Sequence, residues 1–324
     1  MKKSLFMMGV AAMALASCTQ NEVLNVADSR AIGFDAFVGK STRVTEDVTL
    51  DKLQSFELYG WRSGTDGDKQ IFANQEVTNS NGSCTYSPLQ YWEAGYTYNF
   101  EAIAPKHDGT KVNFTAAKDG GTINFTNDGI TDLIYAKATE VTMGETISDA
   151  PSPVSLNFSH LLSRVRFTFV NGFPSNAAAK ITVNNVKITN AYASASIAPA
   201  TGDWSSYGNT DYEITFPSTG VADVEGTNSA ATEHMYLIPH TNPSYTLTFD
   251  VVLDQNDATS TYSHTATITT TMAKGYSYNF TATLDNTNID PDTQLYPIVF
   301  TASETPWQEF TDVDDTTDGD FVLE

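Results

Sequence analysis

Short alternating segments run through most of this chain, and they constrain its fold more than any other feature. From about residue 31 onward, β-branched and aromatic residues alternate with polar ones, and clusters of Asn, Asp, Gly and Pro separate the segments. A period of two residues places apolar side chains on one face of a strand, and the clusters mark turns. Few stretches carry a helical period. The pattern predicts an all-β fold built from antiparallel β-sandwiches.

The strand pattern divides into two parts around residues 143–153. That segment contains prolines and small polar residues, which disfavour regular strand pairing. Two domains also suit the length, because one hydrophobic core seldom serves more than about 250–300 residues. We therefore expect an N-terminal domain over residues 31–153, a C-terminal domain over residues 154–310 and an acidic tail over residues 311–324.

An internal match links the two parts. Residues 95–102 read Gly-Tyr-Thr-Tyr-Asn-Phe-Glu-Ala, and residues 275–282 read Gly-Tyr-Ser-Tyr-Asn-Phe-Thr-Ala. In both copies a glycine turn leads into a strand whose tyrosines and phenylalanine share one face. We interpret the match as duplication or shared architecture. The alternative is that a common aromatic strand pattern arose twice.

The beginning of the chain has the composition of an export signal. Two lysines precede an apolar run of about a dozen residues, which is too short to span a bilayer as a permanent helix. Leu15-Ala16-Ser17-Cys18 fits the bacterial lipobox, in which a peptidase cuts before the cysteine and the cysteine is acylated. We expect a lipoprotein signal peptide over residues 1–18, lipidation at Cys18 and a tether over residues 19–30. A secretory signal cut nearby without lipidation is the alternative.

Charge and cysteine content exclude several classes of partner. The net charge of -22 opposes binding to nucleic acid or to an anionic membrane surface, because both repel an acidic protein. If Cys18 carries lipid, Cys84 has no second cysteine with which to form a disulfide or a thiolate metal cluster. No later segment approaches about 18 consecutive apolar residues. The lipid is therefore the expected contact with the outer membrane.

The residue types that carry catalysis or bind metals form no recognisable motif. The five histidines are scattered without paired spacing, and no serine lies in a Gly-x-Ser-x-Gly turn. The acidic runs at residues 285–292 and 312–320 do not supply the ligand positions of a calcium loop, and we interpret them as solvated. The four tryptophans could form a carbohydrate platform, but their neighbours favour a place in the core. We predict no enzyme, no cofactor and no metal site.

Several motifs follow one another in a specific order. They are the lipobox at Cys18, an early strand leading to Thr42-Arg43, Tyr-Ser-Pro-Leu-Gln-Tyr-Trp at residues 86–92, Leu-Asn-Phe-Ser-His-Leu-Leu-Ser-Arg-Val at residues 156–165, and Leu-Ile-Pro at residues 237–239. Together they resemble the Bacteroidetes fimbrillins, the type V pilins, over nearly the whole chain. The resemblance implies two tandem transthyretin-like β-sandwich domains after a lipoprotein signal peptide. It also implies assembly with other fimbrillin subunits by donor-strand exchange.

The resemblance further implies that an arginine-specific protease removes the first strand and so opens a groove for a neighbouring subunit. The segment before Arg43 suits that role, and Arg43 lies in a polar stretch that a protease could reach. A cut at Arg30 would leave the strand in place. The alternative is that Arg43 is an ordinary surface residue and the strand is permanent. The apolar face of the strand consists of Ile32, Phe34, Ala36 and Val38.

These observations predict a non-enzymatic fimbrillin-like subunit, structural or adhesive, of a cell-surface pilus. We expect an outer-membrane lipoprotein of the fimbrium, with host or bacterial surface ligands as further partners. Residues 308–324 are short and acidic and depart from the donor strand implied for a stalk pilin, so a tip or anchor subunit is nearly as well supported. The alternative is a surface lipoprotein that binds glycan or protein ligands and does not polymerise.

Overall fold

The computed structural model describes residues 30–38, 53–80, 82–144, 153–217, 229–240 and 244–306. Within these ranges strands dominate and the helical structure is one short 3-10 turn, so the all-β prediction is confirmed. Among the same residues, no helix is long and apolar enough to cross a membrane. The strands in chain order are β1 (Phe34–Val38), β2 (Ser55–Gly64), β3 (Gly67–Ser80), β4 (Ser83–Thr85), β5 (Thr97–Ala104), β6 (Val112–Thr115), β7 (Thr122–Thr126), β8 (Ile134–Thr142), β9 (Val154–His160), β10 (Ser163–Asn171), β11 (Lys180–Ala191), β12 (Ser194–Ile197), β13 (Trp204–Ser205), β14 (Tyr212–Thr215), β15 (Ser229–Ala231), β16 (Met235–Leu237), β17 (Tyr245–Gln255), β18 (Ala258–Ile268), β19 (Tyr276–Leu284) and β20 (Thr301–Pro306).

The N-terminal half is a closed barrel with the strand order β1-β4-β3-β2-β5-β8-β9, in which β9 pairs back with β1. Alternate side chains of each strand point inward, and Phe56, Leu58 and Phe100 are among those that fill the interior. Closure matters because it leaves no free sheet edge while every strand of the barrel is in place.

A second sheet, β13-β12-β7-β6, covers the outside of the barrel. Several outward positions of the central barrel strands are also apolar, and Tyr59, Ile103 and Tyr135 pack under this sheet. Strands β12 and β13 come from the C-terminal half, yet β12 pairs with β7 so that Ala195 lies opposite Phe125. The two halves of the chain therefore share one hydrophobic core.

The rest of the C-terminal half consists of two sheets packed face to face. One contains β10, β19 and β20 with β15 and β16 at its other side, and the second has the order β14-β11-β17-β18. Their inner side chains form a separate core, in which the rings of Phe169 and Phe249 lie 5.1 Å apart. Strands β18 and β20 are each the last strand of their sheet.

The prediction of purely antiparallel sandwiches is wrong in two respects. The N-terminal sheet closes into a barrel, and two pairings, β1 with β9 and β10 with β19, are parallel. Parallel neighbours require a long connection, and in both pairs many other strands intervene in the sequence. The alternation of apolar residues predicts which face of a strand is buried but carries no information about strand direction. The transthyretin-like classification of the two halves stays a prediction.

Strand β9 lies at the predicted boundary between residues 153 and 154. It pairs with β1 and β8, and Val154, Leu156 and Phe158 belong to the barrel core. By pairing alone, a division after His160 separates the barrel from the C-terminal sheets more cleanly. The predicted boundary itself stays a prediction, and residues 145–152 lie outside the described ranges.

The repeated Gly-Tyr-x-Tyr segments have the same local structure. Tyr98 and Tyr278 are buried, and each hydroxyl accepts a hydrogen bond from a backbone N–H five residues earlier, at Glu93 (2.7 Å) and Ala273 (2.8 Å). Each tyrosine also stacks on the phenylalanine two residues later, with ring centroids 6.1 Å and 6.4 Å apart. The copies thus share a specific contact as well as a sequence pattern.

Candidate functional site: the first strand and its groove

Strand β1 closes the barrel and contributes to its core. Ile32, Phe34 and Ala36 are 1%, 2% and 0% exposed, whereas the intervening Phe37 is 39% exposed. Val38 is half-buried and packs against the same core. This is the one-sided burial that the alternation of the segment predicts. The strand therefore occupies a groove whose floor is the barrel interior.

One wall of the groove is β9. The two strands pair in parallel over five consecutive positions, from Phe34 opposite Val154 to Val38 opposite Phe158. The pairing continues beyond the strand, because the N–H of Val154 donates to the carbonyl of Gly33 at 2.8 Å. Backbone contact on this side is continuous.

The other wall is less regular. Strand β4 pairs with β1 at a single position, Asp35 opposite Ser83, and the rest of the wall is the segment Tyr86 to Trp92. Within it, the N–H of Ile32 donates to the Gln90 carbonyl at 2.8 Å, and the Tyr86 hydroxyl donates to the Ile32 carbonyl at 2.7 Å. The motif at residues 86–92 therefore binds the first strand.

An aromatic cluster holds the side chain of Phe34. Its ring centroid lies 5.7 Å from Phe72, 5.9 Å from Tyr86 and 5.1 Å from Phe100, with all three contacts edge-to-face. Burying one Phe side chain contributes about 1.5–3 kcal/mol, and favourable aromatic pairs add about 0.5–1.5 kcal/mol. Loss of β1 would expose this cluster to water together with the unpaired edge of β9.

Two titratable groups border the strand. Burial raises the pKa of the Cys84 thiol to about 11, and the charge of Asp35 on β1 adds to the effect. Burial likewise raises the pKa of Tyr86 to about 12. Both groups are therefore neutral near pH 7, and Cys84 has little thiolate with which to react.

The two predicted modification sites, Cys18 and Arg43, lie outside the described residues. The alternative processing residue, Arg30, is described at the entrance of the groove, where its carbonyl accepts a hydrogen bond from the N–H of Trp92 at 3.0 Å. Lipidation and processing stay predictions.

The histidines do not converge in the described part of the chain. The Nδ1 atom of His160 lies 2.8 Å from Asp132, Tyr192 contacts His240 at 3.0 Å, and the Nε2 atom of His264 lies 2.9 Å from the carbonyl of Ile289. Among the described residues, no group of three or more His, Cys, Asp or Glu side chains is arranged to hold a metal ion.

A buried carboxylate under the covering sheet was not anticipated from the sequence. Glu101 is fully buried and accepts hydrogen bonds from the Tyr135 hydroxyl (2.5 Å) and from the N–H groups of Gly121 (2.8 Å) and Ala117 (3.2 Å). Burial and then the Glu101 charge raise the pKa of Tyr135 far above its usual range. Glu101 thus fixes the loop between β6 and β7. The face of β5 that carries Glu101 and Ile103 also carries Thr97 and Asn99, so the local pattern does not mark Glu101 as a buried acid.

The described tryptophans lie in or against the cores. Trp92 is buried and its ring lies 4.6 Å from Tyr98, and Trp61 is buried under the covering sheet. Trp204 is half-buried and its indole N–H donates to the Leu161 carbonyl at 2.8 Å. These three do not form an exposed platform, while Trp307 lies outside the described residues.

The fold and the groove define a class of protein: an all-β protein whose N-terminal strand completes a barrel that would be open without it. The family model described as Fimbrillin-like matches residues 42–307, and the chain belongs to this family. No curated protein matches the sequence significantly.

Solved structures share the fold at low sequence identity. A candidate cell adhesion protein from Bacteroides ovatus ATCC 8483 is 17% identical with a TM-score of 0.52, and the match covers 86% of this chain and 98% of that one. A second, from Bacteroides uniformis ATCC 8492, is 17% identical with a TM-score of 0.50, over 87% of this chain and 100% of that one. At this identity the likeness establishes the fold alone.

Proposed function

We propose that this protein is a structural or adhesive pilus subunit that is exported as a lipoprotein and held at the outer membrane through Cys18 until cleavage after Arg43. The cleaved subunit then assembles by β-strand exchange. The observation that carries the proposal is the position of β1, which together with the preceding Ile32 supplies three buried side chains to a core otherwise built from residues 53–158. Membership of the fimbrillin-like family supports the same conclusion.

The position of the cut decides whether the strand can leave. Residues 39–54 connect β1 to β2, so a cut after Arg43 removes the only covalent link between β1 and the rest of the barrel. A cut after Arg30 would leave β1 attached. Processing after Arg43 therefore converts an internal strand into a separate peptide held only by non-covalent contacts.

The opened groove would select an extended segment of a second subunit. Strand β9 would present unpaired backbone groups, and the pocket of Phe34 would accept a large apolar side chain at alternate spacing. An incoming strand satisfies both requirements at once. Burial of several such side chains, at about 25 cal/mol per Å² of apolar area, makes the exchange slow to reverse.

The test is cleavage of the purified chain lacking residues 1–18 with an arginine-specific protease. N-terminal sequencing identifies the cut, and light scattering follows particle size. We expect a new N-terminus at Val44 followed by growth into oligomers. A synthetic peptide of residues 30–40 added in excess should refill the groove and suppress that growth.

The matched control is Arg43→Lys, which keeps the positive charge but is not a substrate for an arginine-specific protease. This variant should keep β1 and stay monomeric under the same treatment. A cut after Arg43 without any growth rules out self-assembly by this route and favours the alternative, a surface lipoprotein that binds glycan or protein ligands without polymerising. Resistance of Arg43 to the protease rules out processing there.

A further inference from the structure

Among the residues that the structure describes, β18 forms a free strand edge on the C-terminal half, in a different sheet from the barrel. Strand β18 spans Ala258–Ile268, is the last strand of its sheet and pairs along its whole length with β17. Its sequence, Ala-Thr-Ser-Thr-Tyr-Ser-His-Thr-Ala-Thr-Ile, contains no Asp, Glu, Lys, Arg or Pro. Charged residues and proline are the usual means by which proteins keep such an edge from pairing. Strand β18 has neither.

The direction of its free backbone groups follows from a contact one strand away. The N–H of Thr246 on β17 donates to the side-chain oxygen of Asn190 on β11 at 2.6 Å, so this residue directs its backbone away from β18. Thr246 lies opposite Thr267. In an antiparallel pair the bonded and non-bonded positions alternate. The backbone groups that point to the free edge are those of Thr259, Thr261, Ser263, Thr265 and Thr267.

A cavity of about 260 Å³ lies beside the same stretch of the edge. Consecutive residues 263–267 form one side of it, and the segment from Pro291 to Ile298 forms the other. Phe249 and the half-buried Ala266 and Ile298 give its inner part an apolar lining. The cavity is smaller than the roughly 300–1,000 Å³ of pockets for drug-sized ligands, so its size suits one or two inserted side chains.

One wall of the cavity is held in place by His264. Its imidazole stacks on Phe249 at 5.2 Å between ring centroids, and Nε2 lies 2.9 Å from the Ile289 carbonyl. These contacts tie the loop after β19 to β18 and keep the cavity open between them. The site is therefore formed before any ligand arrives.

We propose that the edge of β18 and this cavity bind an extended peptide segment of another protein, which adds a strand to the sheet and inserts an aliphatic side chain between Ala266 and Ile298. Only a polypeptide backbone offers donors and acceptors at the spacing of the free groups at Ser263, Thr265 and Thr267. A saccharide long enough to span these three residues would be too large for the cavity. It would also leave their backbone N–H groups without hydrogen-bond partners.

Charge identifies the kind of peptide. Asp250 and Asp254 lie on β17 beside the exposed face of β18, and Asp290 and Asp292 flank the other side of the cavity. The site therefore favours a neutral or basic segment, with Lys or Arg next to the inserted aliphatic residue.

The test uses the mature chain and a phage-displayed library of linear ten-residue peptides, from which enriched sequences are synthesised and their affinities measured. Thr265→Pro removes one outward N–H without affecting the bonds to β17, and Thr265→Val is the matched control that keeps it. Ala266→Leu fills the cavity and leaves all backbone groups in place. Binding should weaken at least about tenfold in Thr265→Pro and Ala266→Leu and stay unchanged in Thr265→Val.

The proposal is overturned if no sequence is enriched over a Thr265→Pro surface, or if enriched peptides bind all four proteins equally. Binding of glycans on an array, lost in Ala266→Leu, with no peptide enriched, would identify the cavity as a saccharide site instead and equally overturn the proposal. Because Ala266→Leu does not alter the backbone, it remains decisive if the proline variant folds poorly.

Discussion

At the scale of single residues, the chemistry at the barrel closure depends on contacts with the first strand. Asp35 raises the pKa of Cys84 through its charge, after burial as the main cause, and a backbone hydrogen bond at Ala36 acts in the opposite direction. Both partners belong to β1. The reactivity of a thiol on β4 therefore reports on the state of a different strand.

Replacement of Asp35 with Asn should make Cys84 more reactive. Removal of the negative charge lowers the pKa of the thiol, so more thiolate is present at a given pH. We expect the reaction of Cys84 with a thiol reagent at pH 9 to accelerate by roughly two- to tenfold in protein lacking residues 1–18. The control is Asp292→Asn, at an exposed position in the C-terminal half. If the parent, Asp35→Asn and Asp292→Asn react at the same rate, the charge of Asp35 does not control the reactivity of Cys84.

Asp128 should give the loop after β7 a pH-dependent stability. Burial alone would raise its pKa, but hydrogen bonds from Lys111, from the hydroxyl and N–H of Thr131 and from the N–H of Ile130 outweigh burial and lower the pKa to about 2. A pKa lowered on folding stabilises the native state above the unfolded value, near 4, and this stabilisation is lost as the pH falls through about 2.

Asp128→Asn should therefore be less stable than the parent protein at pH 7, and the difference should shrink as the pH falls from about 4 to about 2. Urea unfolding at a series of pH values measures it. The exposed Asp119→Asn should show a smaller difference at pH 7. A constant difference between Asp128→Asn and the parent across the series would show that the carboxylate charge is not the cause.

Residue-level prediction from sequence succeeds where burial follows a period of two. It fails where a polar side chain is buried because it forms specific hydrogen bonds. The buried face of the first segment, with Ile32 before β1 and Phe34 and Ala36 on it, follows directly from alternation. The role of Glu101 does not, because its three donors come from Ala117, Gly121 and Tyr135, which only the tertiary fold brings together. The lipidation and processing sites rest on local motifs that the described residues do not include.

At the scale of elements, the repeated Gly-Tyr-x-Tyr segment fixes the start of a central strand in each half of the chain. Tyr98 and Tyr278 each accept a hydrogen bond from the backbone N–H of a residue just before the glycine turn, Glu93 or Ala273. The residue directly before that donor, Trp92 or Met272, packs its side chain into the core. The turn and the strand are thereby fixed to each other in both halves of the chain.

Tyr98→Phe and Tyr278→Phe should each destabilise the protein by about 1–2 kcal/mol, because the N–H of Glu93 or Ala273 loses its acceptor while the ring stays in place. Urea unfolding followed by circular dichroism measures the change. Tyr296→Phe removes a hydroxyl from a side chain that is 66% exposed and should have almost no effect. If all three variants are as stable as the parent protein, the hydroxyls of Tyr98 and Tyr278 do not stabilise these turns.

Element-level prediction located many of the strands but not how they join. Turn clusters and alternation missed β3, the longest strand, because most of its residues are exposed and it has little apolar alternation. The Gly-Tyr-x-Tyr match identified two equivalent strands, β5 and β19. Closure of the barrel depends on the pairing of β1 with β9, whose first residues are 120 positions apart (154 minus 34). The crossing of β12 to β7 is likewise a long-range contact. Neither leaves a local signal, because each strand carries the same alternation whichever neighbour it pairs with.

At the scale of the whole molecule, the halves are coupled by a shared core. Phe114, Ile123 and Tyr135 from the N-terminal part pack with Leu161, Ile197 and Ile238 from the C-terminal part, and none of them is exposed. Two halves that bury apolar surface against each other to this extent are expected to unfold together.

Ile197→Ala should lower the free energy of unfolding of the entire protein by about 2–5 kcal/mol. Tryptophan fluorescence, to which the buried or half-buried Trp61, Trp92 and Trp204 contribute, and far-ultraviolet circular dichroism should give the same single transition before and after the substitution. Ile130→Ala, at a site 69% exposed, is the matched control and should change little. Two separate transitions, with only one shifted by Ile197→Ala, would mean that the halves are independent.

The parallel pairing of β1 with β9 also determines how an uncleaved molecule would withstand mechanical tension. If the lipid at Cys18 tethers the protein, a pull on the rest of the molecule is transmitted through residue 30 into β1 along the axis of that strand. The pull is then parallel to the strands and runs across hydrogen bonds that are evenly spaced over five residue pairs. All of these bonds share the load in shear, whereas a pull across the strands would break them one after another. The strand that closes the barrel would thus also be the mechanical clamp of the anchored protein.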